Sequence, residues 1–231
     1  MRPKTDIPKY LGIAYLIQFV GSLLSDPLLA TGIGTGSTPE RLITISSNFL
    51  VIRAGIIAEV VTALGIIVMT VLLYFVLQNQ NKLFALLALT FWLTEAIFLV
   101  ISSVGTYALI PVSLDYVQAG LPDPWDMITL GTMLIELKEF CYAIHMLFFG
   151  LGGILWYYMF YKSQYIPKAL ALWALVLMPL MPIDVLLFLL GLGLGSILRM
   201  AILFPLIAYL PFEGILGIWF IVKGINVSES A

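Results

Sequence analysis

The chain has 231 residues, 61% of them hydrophobic and 10% charged, with a formal net charge of −2 and a mean hydropathy of +1.07. Soluble domains carry about 45–50% apolar and about 25% charged residues, so this composition excludes an ordinary soluble domain and marks an integral membrane protein. No block of like charges points to nucleic acid as a partner, and no polybasic run singles out anionic lipid.

One cysteine, Cys141, excludes an internal disulfide. Together with the one histidine, His145, it also excludes zinc-finger ligand sets, paired-histidine haem and HExxH proteases. No cofactor and no metal are expected.

The amino-terminal MRPKTDIPKY followed by LGIAYLIQFVGSLL has the basic and apolar regions of a secretory signal. The apolar run continues past Asp26 to Ala30, so it reads as a first membrane span. A helix crosses a hydrocarbon core of about 30 Å with about 20 apolar residues, because an unpaired backbone amide is costly there. Six segments meet that length, near 10–30, 52–78, 83–109, 127–161, 167–191 and 198–222. The expected fold is all-α, a bundle of six transmembrane helices forming a single domain over 1–231. Three spans per half, in opposite orientations, is the layout of a 3+3 inverted repeat. "TEAIF" around Glu95 in the third span resembles "FEGIL" around Glu213 in the sixth at two of five positions, a match that coincidence also explains.

Lys and Arg near the segment ends set the orientation. Arg2, Lys4, Lys9, Lys82, Lys162, Lys168 and Lys223 fall on one side, and Arg41, Arg53 and Arg199 on the other. The positive-inside rule then places both termini in the cytoplasm and the protein in the cytoplasmic membrane. "TGIGTGSTPERL" and "PVSLDYVQAGLPDPWD" read as outer loops, and "QNQNK" and "YKSQYIP" as short inner ones. Trp125, Trp156, Tyr157, Tyr158, Tyr161 and Tyr165 fall near expected interfaces, where amphipathic rings settle.

Ionisable groups at membrane depth cost roughly 2.5–3.5 kcal/mol each at a helix centre, so they usually face the interior and act there. Glu95 lies about 12 residues into its span, about 18 Å along the helix at 1.5 Å per residue. A midplane carboxyl of this kind is what a proton- or cation-coupled carrier requires. Glu59 follows Arg53 on the second span and Glu213 lies in the sixth, so the three acids sit at different depths, an arrangement suited to a relay. The alternative is three independent packing acids with local partners such as Arg53, Lys138 and Arg199. Asp184 follows Pro179 and Pro182, and Glu213 follows Pro205 and Pro211, so the last two spans should be kinked or interrupted.

The fourth segment is too long for a bilayer, and its amino-terminal part must project. Glu136, Lys138 and Glu139 then lie at the outer boundary. At 100° per residue Gly131, Lys138, His145 and Gly152 share one stripe, flanked by Cys141 and Tyr142, with Glu136 and Glu139 on a neighbouring edge. Cys141 and His145, at i and i+4, are two potential metal ligands, which do not make a site.

"YLGIAYLIQFVGSLL", "FFGLGGILWYYMFYKSQYIPKALALW" and "FEGILGIWFIVKGIN" resemble, in order and spacing, the prokaryotic membrane family named domain of unknown function 4386, over nearly the whole chain. Glu59, Glu95, Glu213 and the Lys138–Glu139 pair occupy positions where such proteins look similar. Members often place a basic residue a few positions before the third-span acid, where this chain has Trp92. The resemblance implies a six-helix membrane protein and no particular activity.

The leading expectation is a small transporter using Glu59, Glu95 and Glu213, with Asp184 and His145 as further pathway candidates and Arg53, Lys138, Glu139 and Arg199 as ion-pair candidates. A non-catalytic protein that binds lipid or stabilises a partner is the alternative, and an intramembrane lipid-modifying enzyme with His145 and Glu139 as acid–base groups is the third. Expected partners are membrane lipid, a small molecule or ion, and a second copy or another membrane protein.

Overall fold

The computed structural model describes residues 6–120, 125–192 and 209–225. Every element among them is helical: α1 (Ile7–Ile33), α2 (Thr38–Ser47), α3 (Phe49–Leu77), α4 (Lys82–Ala119), α5 (Trp125–Ser163), α6 (Lys168–Leu177), α7 (Leu180–Leu189) and α8 (Leu210–Val222). Five stretches are long and apolar enough to cross a membrane: α1, α3, α4, α5 and the α6–α7 pair, Lys168–Leu189. The sixth expected span, 198–222, falls partly outside the described residues, and its described part, α8, has 13 residues. That is too short to cross by itself.

The expected break in the fifth span is present. α6 stops at Leu177 and α7 starts at Leu180, with Met178–Pro179 between them, because Pro179 and Pro182 bring no amide hydrogen to the ladder. Pro211 sits in the first turn of α8, where a missing amide hydrogen costs nothing.

Both expected outer loops are partly helical, which corrects the sequence reading. α4 runs through Pro111 to Ala119. The Ser113 hydroxyl donates to the Ile110 carbonyl at 2.7 Å next to that proline, and Leu109, Ile110 and Ser113 are buried, so packing holds the extension in place. In "TGIGTGSTPERL", Gly34 and Gly36 take φ of +70° and +107°, open only to glycine without strain, and turn the chain into α2. The start of α2 carries a signal that composition hides. Glu40, the third residue after Ser37 and helix start, accepts from the Ser37 amide at 2.7 Å and from its hydroxyl at 2.9 Å.

Those bonds, the amide first, hold the exposed Glu40 carboxyl below the usual carboxylate range. A lowered folded-state value means that the contribution is present above the unfolded value and is lost as pH falls through the folded one. Amide-exchange protection at Ser37 is therefore expected to fall on acidification, and Glu40→Ala should remove it at neutral pH. Unchanged protection in that variant would exclude the cap.

The described chain forms two compact units. The first holds α1 to Phe19, α3 from Leu64, α4 to Ala96, α5 from Ile144, and α6 to α8. Its core is aromatic: Tyr15, Trp92, Trp156, Tyr157, Phe160, Phe212 and Phe220 are fully buried. Trp156 and Tyr157 are therefore core residues and not interface rings, unlike Trp125, which is 71% exposed. Glycines set the helix approach here. A methyl group on Gly12 would stand 2.5 Å from the Gly217 carbonyl oxygen, and one on Gly65 would stand 3.0 Å from the Gln18 backbone nitrogen. α1 thus packs backbone to backbone on α8 and on α3, as small residues allow between membrane helices.

The second unit holds α1 from Val20, α2, α3 to Ala63, α4 from Ile97 and α5 to Ala143. Leu29, Ile33, Ile45, Ile52, Leu109, Ile110 and Ile135 form its core. α2 buries Leu42 and Ile45, and its Thr38 hydroxyl lies 2.8 Å from the Thr132 hydroxyl of α5.

Candidate functional site

The second unit contains a partly open cavity of about 190 Å³ lined by both charged and apolar side chains. Asp26, Leu29, Ala30 and Ile33 line it from one face of α1, at the i, i+3, i+4, i+7 spacing of a helix stripe. Glu59 enters from α3, Arg41 from α2, and Lys138, Glu139 and Tyr142 from α5.

Burial and charge are divided unevenly among these groups. Glu59 is 2% exposed, and its carboxylate accepts from the Ser103 hydroxyl at 2.5 Å. Lys138 is half-buried, with Nζ 5.8 Å from the centre of the Tyr142 ring and its backbone carbonyl accepting from the Ser102 hydroxyl at 3.3 Å. Arg41 pairs with Glu139 at 3.1 Å, and both are partly exposed. Lys138 makes no such pair: among the described residues neither Asp26 nor Glu59 comes within 4.0 Å of its ammonium. Setting Arg41 and Glu139 against each other leaves two carboxyls and one ammonium facing the cavity, with opposite charges held apart.

The first unit holds a second polar group, packed among aromatic rings. Glu95, on α4, is 2% exposed, and its Oε2 has no hydrogen-bond partner among the described residues. Its backbone carbonyl lies 3.2 Å from His145 Nδ1 on α5; a carbonyl only accepts, so Nδ1 carries the hydrogen. Glu213, on α8, accepts from the Gln18 amide of α1 at 2.7 Å. The Tyr157 and Tyr209 hydroxyls are 2.9 Å apart, and Phe212 packs edge-on to Tyr157 and stacked on Tyr209. Trp92 donates to the Phe149 carbonyl at 3.0 Å and occupies the space that a side chain on Gly152 would need.

The polar stripe of α5 therefore meets different partners along its length. Gly131 and Lys138 serve the second unit, where Gly131 packs on Leu42 and Lys138 lines the cavity with Glu59. His145 and Gly152 serve the first, against Glu95 and Trp92.

The remaining candidates are placed as follows. Asp184 is half-buried on α7, and no hydrogen bond reaches it among the described residues. Arg53 is exposed, with its guanidinium over the Phe49 ring at 5.5 Å. Arg199 lies outside the described residues. Cys141 is a buried free thiol, and no cluster of three or more His, Cys, Asp or Glu side chains suited to a metal occurs among the described residues. Sequence reasoning passed over Gln18 and Asp26, although each interrupts an apolar run in α1, which is the signal that finds them.

A protein-family model described as Domain of unknown function (DUF4386) matches residues 10–224. Neither a curated protein nor a solved structure matches the chain.

Proposed function

The chain belongs to the Domain of unknown function (DUF4386) family, and from that premise we propose a small multi-pass transporter of the cytoplasmic membrane that moves a solute or ion with proton or cation coupling. One observation carries this reading: Glu59, Glu95 and Glu213 are 2%, 2% and 7% exposed on strongly apolar helices. Carboxyls kept at such positions are costly, and in membrane proteins they mark substrate, ion or proton pathways by default. The full form of the proposal has six spans in two inverted halves, both termini cytoplasmic, and Asp184 and His145 beside the pathway.

The test is a pH gradient imposed across proteoliposomes containing the purified chain. Proton-linked flux above that of empty vesicles is expected, with a loss of at least tenfold in Glu95→Gln. Unchanged flux in that variant would remove the central claim.

A second reading is favoured by the local bonds of two of these acids. Ser103 satisfies Glu59 and Gln18 satisfies Glu213, as a static protein that binds lipid or stabilises a membrane partner would require. That reading expects no flux in wild-type vesicles.

A further inference from the structure

We propose that the cavity of the second unit binds a small zwitterion, its cationic end held by Asp26 and Glu59 and its anionic end by Lys138. The ligand class rests on the reading of the chain as solute-handling, but the geometry behind it is independent of flux. The cavity, about 190 Å³, is far larger than the roughly 10–15 Å³ that one ordered water needs and smaller than the roughly 300 Å³ where drug-sized sites begin. It therefore suits a solute of a few heavy atoms or a lipid headgroup.

Charge decides the class. Lys138 faces this space without an ion-pair partner within 4.0 Å among the described residues, although two carboxyls line the same walls. A simple cation placed between the carboxyls would be repelled by Lys138, and a simple anion at Lys138 would face Asp26 and Glu59. A molecule carrying both charges satisfies all three groups at once. Two carboxyls against one ammonium leave one negative charge over, which a proton or a monovalent cation can meet together with the zwitterion. This supplies a physical reason for coupling.

The groups are positioned to do this. Glu59 is 2% exposed and oriented by Ser103, so its carboxylate is held in place at the cavity wall. The Tyr142 ring holds the Lys138 head at 5.8 Å, within cation–π range, on the cavity side. The Arg41–Glu139 pair is neutral as a whole and so leaves the count unchanged, although the buried Arg41 Nε keeps no hydrogen-bond partner among the described residues.

The test uses the full chain in nonionic detergent, with thermal shift and calorimetric titration against four probes: glycine betaine, glycerophosphoethanolamine, choline and acetate. Saturable binding of a zwitterion is expected, at least tenfold tighter than that of choline or acetate. A response to glycine betaine marks a free solute as the source, and one to glycerophosphoethanolamine marks a lipid headgroup. Lys138→Met and Glu59→Gln should each weaken binding at least tenfold; should Glu59→Gln fail to fold, Asp26→Asn, at an exposed position, replaces it. The proposal is overturned if neither zwitterion binds, if choline or acetate binds as tightly, or if Lys138→Met keeps full affinity. Binding in detergent with no flux in vesicles would sink the transporter alone, and flux without zwitterion binding would sink this inference alone.

Discussion

Gly12→Leu is expected to lower the melting temperature of the detergent-solubilised protein by on the order of 10 °C. A first side-chain carbon at this position would stand 2.5 Å from the Gly217 carbonyl oxygen and 3.0 Å from the Ile221 backbone nitrogen. Both neighbours are backbone, so no rotamer change relieves the contact and α1 must move off α8. The approach is reciprocal, since a side chain on Gly217 would stand 3.1 Å from the Gly12 carbonyl oxygen.

Overpacking of this kind costs about 1–3 kcal/mol, and more where backbone is the obstacle. At about 2–4 °C per kcal/mol for a chain of this length, the upper end gives the stated drop. Gly105→Ala is the control, because there a methyl group would meet its nearest neighbours at 3.7 Å, an ordinary contact. It should be neutral or slightly stabilising, since alanine favours a helix over glycine by about 1 kcal/mol. The Cβ contacts at Gly12 apply to alanine as well, so Gly12→Ala should also lose stability, and equal effects of Gly12→Ala and Gly105→Ala would contradict the backbone contact between α1 and α8.

Glu95→Met is expected to change stability and function in opposite directions. Oε2 of this buried side chain has no hydrogen-bond partner among the described residues, and an unmet buried polar atom costs about 1–3 kcal/mol. Polar terms between membrane helices run smaller, about 0.6 kcal/mol on average, so a gain of roughly 1 kcal/mol is the reasonable size. Methionine fills a similar volume without the polar atoms and should raise the melting temperature by about 2–4 °C. The same change should abolish proton-linked flux in vesicles. A group that weakens the fold while it serves function is the pattern found where activity needs a destabilising residue. A fall in melting temperature, as for an acid that holds helices together, would refute this account and favour the static alternative.

How far the sequence can be read depends on whether a feature is carried along one helix or between helices. Apolar run length places α1, α3, α5, the α6–α7 pair and the start of α4 to within several residues, because the bilayer demands about 20 residues whatever the neighbours are. The break at Met178–Pro179 is equally legible, since proline acts through its own missing hydrogen. α2 and the end of α4 were hidden for the opposite reason. Their composition reads as loop, and what makes them helical is the burial of Leu42, Ile45, Leu109 and Ile110 in the second unit. Trp156 and Tyr157 mislead in the same way, because a ring near a helix end serves an interface or a core according to what packs against it.

By itself the sequence determined the membrane class, the acids on apolar helices and the polar stripe of α5, all of which follow from composition and helical period. Only the tertiary structure decided which groups meet. It put Glu59 with Lys138 and Asp26 at one cavity, and Glu95 with His145 among the aromatic rings of the first unit. The physical reason is that spacing within a helix specifies which side chains share a face. Which helix that face meets depends on close approaches such as Gly12 on Gly217 and Gly152 on Trp92, made by residues far apart in the chain.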